Sequence, residues 1–122
     1  MLLEAPYRKL GPVDHSALKA AVLAATPEAW LEDKTRQQSF EQHKAAQSIV
    51  MLFSNTWPNP VVEKRSGWER LSAPANALID QIVKAHYPPG GRIIRAMAAK
   101  LLSGGRIALH KDGHPSFAAS HR

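Results

Sequence analysis

One run of the chain limits its fold more than any other: Ser48-Ile49-Val50-Met51-Leu52-Phe53. It is continuously apolar from Ile49 onward and β-branched at its start. That pattern reads as a buried strand rather than a half-solvated, alternating one. Trp57-Pro58-Asn59-Pro60 then breaks it into a loop. The flanking segments supply the partners such a strand needs. Residues 5–9 are expected to be an opening strand, closed by Gly11-Pro12. Asp14 is placed as the N-cap of a helix over residues 16–23, which are rich in good helix formers. Thr26-Pro27-Glu28 predicts a second helix start, with Thr26 as N-cap and Pro27 at the first helical position. Residues 32–47 are polar and mixed and are assigned no element.

A longer helix is expected over residues 74–86, starting near Ser72 or Ala73. Its positions Ala75, Leu78, Ile79, Ile82 and Val83 fall on one face. Pro88-Pro89-Gly90-Gly91 ends it. Residues 92–102 carry alanines and place Ile94, Met97, Ala98 and Leu101 at helical spacing, so pattern alone favours a helix. Ser103-Gly104-Gly105 is a turn, Arg106-Ile107-Ala108-Leu109-His110 reads as a strand, and Lys111-Asp112-Gly113-His114-Pro115 leaves it through turn residues.

The 122 residues are enough for one domain and its core, and no repeat or linker divides them. The absence of cysteine excludes disulfides, thiolate zinc sites, iron–sulfur clusters and cysteine nucleophiles. Any metal must therefore be held by nitrogen and oxygen, for which six histidines are available. No apolar run approaches the roughly 20 residues needed to span a bilayer, and the first residues lack a signal-peptide pattern. A cytoplasmic protein with no membrane partner is expected.

The net charge of +6 is unevenly placed. Residues 1–80 hold nine basic and nine acidic side chains. Residues 81–122 hold seven basic ones (Lys84, Arg92, Arg95, Lys100, Arg106, Lys111, Arg122) against Asp112 alone. A solvated basic face, a nucleic-acid patch and a pocket for a small anion all fit that excess.

His110-Lys111-Asp112 is the segment with the most chemistry. On extended backbone, residues i and i+2 point to the same side, so imidazole and carboxylate can grip one metal. With a second histidine they would form the facial triad of a non-haem iron(II) site, which leaves coordination positions open. His110, Asp112 and His114 also alternate, so a zinc site built from all three is a competing reading. His86 is assigned to the C-terminal end of its helix, where it meets the dipole, and His15 and His43 are read as surface residues. Trp30, Trp57 and Trp68 do not interleave with the basic cluster and are read as core or loop anchors rather than a base-stacking platform.

The stretch Leu101-Leu102-Ser103-Gly104-Gly105-Arg106-Ile107-Ala108-Leu109-His110-Lys111-Asp112 resembles the metal-binding hairpin of the aspartyl/asparaginyl β-hydroxylase family. These are iron(II)- and 2-oxoglutarate-dependent oxygenases in which a strand, a Gly-Gly or Pro-Gly turn and a second strand deliver the first iron histidine. The likeness extends back through Gly91-Arg92-Ile93-Ile94-Arg95-Ala96-Met97 and is specific over about residues 90–122. It implies that residues 92–102 form a strand, against the helical pattern. It also implies an α+β fold, a partial double-stranded β-helix (a jelly-roll, cupin-like barrel) with flanking helices.

The resemblance further implies Fe(II) and 2-oxoglutarate as cofactors, with His110 and Asp112 as metal ligands. Ser120-His121-Arg122 is similar to the approach to an Arg-x-His element, which makes Arg122 the expected partner of the cosubstrate carboxylates. A serine that assists the cosubstrate in some relatives falls near Ala99, which has no hydroxyl. The family's distal iron histidine and a further cosubstrate arginine lie downstream of this hairpin. Residues 1–122 are therefore expected to be a single incomplete oxygenase domain, inactive as it stands. The implied activity is hydroxylation of an amino-acid or peptidyl side chain, with a small-molecule or peptide substrate. The alternative is a non-catalytic basic module for nucleic acid or an acidic protein.

Overall fold

The computed structural model describes residues 9–34, 37–38 and 41–116. The fold is α+β. Three strands, β1 (Ala46–Phe53), β2 (Glu63–Lys64) and β3 (Ala96–Leu101), form an open antiparallel sheet in the order β2-β1-β3. Helices α1 (Ser16–Ala24), α2 (Pro27–Leu31) and α3 (Gly67–His86) accompany it. Residues 5–8 of the expected opening strand lie outside the described residues, and Lys9 belongs to no element.

The apolar run is the central strand, as its composition requires. Ser48, Ile49, Val50 and Met51 are all buried, so both faces of β1 are covered. Ile49 and Met51 join Ala29 and Trp30 of α2 and Leu71 and Ala75 of α3 in one core cluster. Leu18, Ala21 and Val22 of α1, with Trp68, Ala96 and Ala98, pack around it. α2 forms as its caps predict: the Thr26 side chain accepts from the Ala29 amide, with Pro27 at the N-terminal turn. Beyond its end, Asp33 and Glu32 tie to Arg65 and Arg70, with Arg65 Nη2 3.1 Å from Asp33 Oδ2. Asp14 lies one residue before the α1 N-cap. Its carboxylate accepts from the Ser16 amide (3.0 Å) and hydroxyl (2.7 Å), which holds its carboxyl below the usual aspartate range.

α3 is longer than its sequence pattern indicates. It begins at Gly67, and Pro74 sits inside it rather than at its start. An internal proline removes one helical hydrogen bond and crowds the preceding turn, a cost of about 3 kcal/mol. Burial of Gly67, Leu71 and Ala75 along one stripe offsets that cost. At Gly67 α3 packs tightly on the sheet: a Cβ there would fall 2.6 Å from Ile49 Cγ2 and from the Val50 carbonyl oxygen. The expected face is confirmed further along, with Leu78, Ile79, Ile82 and Val83 half-buried.

Residues 96–101 are a strand, not the helix their alanines favour. β3 pairs with β1 from Ala46↔Leu101 to Leu52↔Ala96, with a bulge at Met51. The alanines have a packing role: Ala98 lies opposite Ile49, and it and Ala96 pack against the helix-covered cluster. Non-local pairing thus overrides local helix propensity. Residues 92–95 stay outside the ladder.

After β3, Leu102-Ser103-Gly104-Gly105 makes a β-turn. The Gly105 amide donates to the Leu102 carbonyl (2.8 Å), and Gly104 takes φ +73°, which calls for glycine. The strand expected over residues 106–110 does not form. Ile107 and Leu109 are exposed, the latter completely. The Ala108 carbonyl, which a ladder would use, instead accepts from the ring of His110 at 2.8 Å. That local side-chain bond competes with strand pairing.

Candidate metal centre

The ends of the sheet elements fix what meets at residues 102–112. The Leu102 amide donates to the Ala45 carbonyl at 3.0 Å, one position past the last β1–β3 pair. The turn before β1, a single 3-10 turn at Glu41–His43, therefore lies beside the turn after β3. Its geometry is held locally by Lys44, whose amide donates to the Glu41 carbonyl and whose ammonium pairs with the Glu41 carboxylate. Gln37 Nε2 also donates to the Lys44 carbonyl at 2.9 Å.

His110 and Asp112 face each other, with Nε2 3.6 Å from Oδ1. A carbonyl oxygen can only accept, so the 2.8 Å contact to Ala108 places the ring proton of His110 on Nδ1. In the neutral ring Nε2 then presents a lone pair toward an acceptor-only carboxylate. The separation is too long for a hydrogen bond. It is short enough for chelation, because donors about 2.1 Å from a shared ion lie at most about 4.2 Å apart. A cation between the two groups would meet the lone pair of one and the negative charge of the other, and the backbone contact at Nδ1 is the kind of outer bond that orients metal-bound imidazoles. The donor set, one imidazole nitrogen and one carboxylate oxygen, suits a borderline divalent transition metal.

His114 belongs to a different group of residues. Its Nδ1 accepts from the Ser116 amide and from Arg95 Nη2, each at 3.3 Å, and lies 2.8 Å from the Ser116 hydroxyl. Because arginine and amide only donate, the ring proton is on Nε2, which approaches the Asn55 carbonyl at 3.4 Å. Arg95 Nε donates to the Ser54 carbonyl (2.8 Å), so this cluster pins the C-terminal loop to the end of β1. Both ring nitrogens of His114 are engaged, and the zinc site built from His110, Asp112 and His114 is not assembled. Among the described residues no group of three His, Cys, Asp or Glu is set to hold a metal.

His43 is the residue that sequence reasoning missed. It is half-buried rather than a plain surface residue, and its ring packs edge-on against His110, with centroids 5.7 Å apart and planes at 87°. No local pattern marks it; only the β1–β3 register brings it there. Arg122 lies outside the described residues. A surface concavity of about 510 Å³ between Leu31, Asp33, Gln38 and Arg65 is not lined by His110 or Asp112. No helix among the described residues is long and apolar enough to cross a membrane.

Comparison with protein-family models, curated proteins and solved structures gave no match to this chain.

The basic excess is largely accounted for by structure. Lys84 pairs with Asp80, and Arg92 donates to the Pro60 carbonyl. Arg95 holds Ser54, and Lys100 lies 4.6 Å from the Trp30 ring centre. Lys84, Arg92, Arg95 and Lys100, four of the six cations described in residues 81–116, thus have intramolecular partners.

Proposed function

We propose that the chain carries the metal-binding hairpin of a non-haem iron(II), 2-oxoglutarate-dependent oxygenase of the aspartyl/asparaginyl β-hydroxylase type. The reading includes the jelly-roll architecture of that family, with β1 and β3 as part of its framework. The observation that carries it is the facing pair of His110 Nε2 and Asp112 Oδ1, with Nδ1 tied to the Ala108 carbonyl. In this reading His110 and Asp112 hold Fe(II), and Arg122 supplies a guanidinium to a carboxylate of 2-oxoglutarate. When bound, iron and 2-oxoglutarate would supply the oxidising power for hydroxylating an amino-acid or peptidyl side chain. The chain's own contributions are the orientation of the imidazole through Nδ1 and the negative charge of Asp112.

Anaerobic addition of Fe(II) and 2-oxoglutarate tests this. A visible charge-transfer band from the chelate, absent in His110→Ala, supports the reading. A band that persists in His110→Ala rejects it. The alternative of a basic nucleic-acid module is weakened by the internal partners of Lys84, Arg92, Arg95 and Lys100. It predicts an affinity for nucleic acid that falls steeply with salt.

A further inference from the structure

We infer that the corner formed by residues 101–111 docks reversibly on an anionic lipid surface. Leu101, Leu102, Ile107 and Leu109 enter the headgroup layer, and Arg106 and Lys111 meet lipid phosphates. The expectation from sequence of no membrane partner rests on the lack of a spanning run, which surface contact does not require. Neither His110 nor Asp112 is needed for this contact, so lipid binding and metal binding can fail separately.

Apolar exposure is the first observation. Leu101, Leu102, Ile107 and Leu109 are all exposed within nine residues of chain, Leu109 completely. Protein surfaces ordinarily carry large apolar side chains singly. The turn closed by the Gly105 amide on the Leu102 carbonyl gathers these four at one corner, and the Leu102–Ala45 bond fixes that corner to the end of β1.

Charge is the second. Between Asp80 and Asp112 the chain has no acidic residue. Lys84, Arg92, Arg95 and Lys100 are engaged within the fold. The remaining described cations of this region, Arg106 and Lys111, are exposed, and they flank Ile107 and Leu109 on either side. The acids nearest the corner are occupied: Asp112 faces His110, and Glu41 is paired with Lys44. A chain of net charge +6 is drawn as a whole toward an anionic surface.

The chemistry of the corner favours lipid over the other partners of a basic surface. Residues 96–112 contain no Phe, Tyr or Trp. Those are the rings on which nucleic-acid bases stack. Trp and Tyr, with Arg, also anchor protein partners, where leucine is under-represented. Aliphatic tips between long cationic stems match the boundary between acyl chains and phosphates. Irregular backbone cannot enter hydrocarbon, so the contact is shallow and made by side chains.

Co-sedimentation of the full chain with vesicles tests this. Vesicles of phosphatidylcholine with phosphatidylglycerol should take up the chain. Vesicles of phosphatidylcholine alone should bind it about tenfold more weakly or worse, and added salt should weaken uptake by the anionic ones. Leu109→Ser should lower that uptake about tenfold. Because this side chain is fully exposed, its loss removes no internal packing. Leu23→Ser, at an exposed leucine of α1, should bind as the wild type does. Replacing Arg106 and Lys111 together by Gln should remove most of the salt dependence. Uptake unchanged by Leu109→Ser, or equal uptake by the two kinds of vesicle, overturns the inference. Failure to bind anionic vesicles also overturns it, including where the chain binds a DNA duplex or a second copy of itself instead. The oxygenase reading is judged separately, by the 2-oxoglutarate chelate in the absence of lipid.

Discussion

The amide of Leu102 donates to the carbonyl of Ala45 at 3.0 Å, joining the turn that enters the central strand to the turn that leaves its neighbour. That junction places residue 43 near residue 110, with their ring centres 5.7 Å apart. Gly105→Ala should disturb it. The added methyl meets Ala45 Cβ at 2.8 Å and the Leu102 carbonyl oxygen at 2.9 Å, one of them backbone and unable to swing away. A loss of about 1–3 kcal/mol is expected from such overpacking, read as a lower urea midpoint with unchanged slope.

Gly67→Ala tests the other close approach. Its Cβ would lie 2.6 Å from both Ile49 Cγ2 and the Val50 carbonyl oxygen, at the centre of the core. The helix-propensity gain of alanine, up to about 1 kcal/mol, is smaller than the strain. Net destabilisation of about 1–3 kcal/mol is expected. A thermal midpoint equal to or above that of the wild type would show that α3 can shift away from β1.

Asp112→Asn keeps the shape of the side chain but removes the charge facing His110 Nε2. Co(II) affinity should drop by at least tenfold, measured by competition with a chelator, while stability without metal changes little.

Arg95→Met removes the donor to the Ser54 carbonyl and to His114 while keeping a long apolar stem near Phe53. Ser54 is buried, so its carbonyl would be left without that partner. A cost of about 1–3 kcal/mol is expected, with residues 113–116 becoming faster in amide exchange.

Asp14 provides the acid-side prediction. Hydrogen bonds from the Ser16 hydroxyl and amide lower its carboxyl pKa in the folded chain. Its contribution is therefore fully present above the unfolded-state value and disappears as pH falls through the lower folded-state value. An NMR titration of the Asp14 carboxyl should give a midpoint below that of an unstructured aspartate. In Asp14→Ala the start of α1 should fray at neutral pH, with the difference from wild type vanishing in acid.

Much of the scaffold is legible in the residues. Thr26-Pro27 fixes the start of α2, and the apolar run fixes β1, where Ile49, Val50 and Met51 are buried in succession. The start of α3 is not legible locally. Pro74 marks a helix start by every local rule, and only the burial of Gly67 and Leu71 shows why the helix runs through it. β3 is a case where pattern and resemblance disagree. The resemblance gives the strand, and Ala96 and Ala98 prove to be spacers against the helix-covered core. The same hairpin reasoning expects a strand at residues 106–110, and there the His110 ring has taken the Ala108 carbonyl. His110 and Asp112 could be named from their spacing. His43 could not, because a contact across 67 residues depends on register and leaves no periodic trace.

The exposed course of residues 106–110 sets a thermodynamic condition on anything that binds there. Ordering backbone costs about 1–2 kcal/mol per residue, and a segment that shares no rungs with a neighbouring strand has little to offset it beforehand. An ion gripping residues 110 and 112 would meet that cost in the act of binding, so measured affinity will understate the strength of the individual bonds. Stiffening this stretch without touching a donor atom, for instance with a proline where the backbone angle permits one, should tighten binding and slow release.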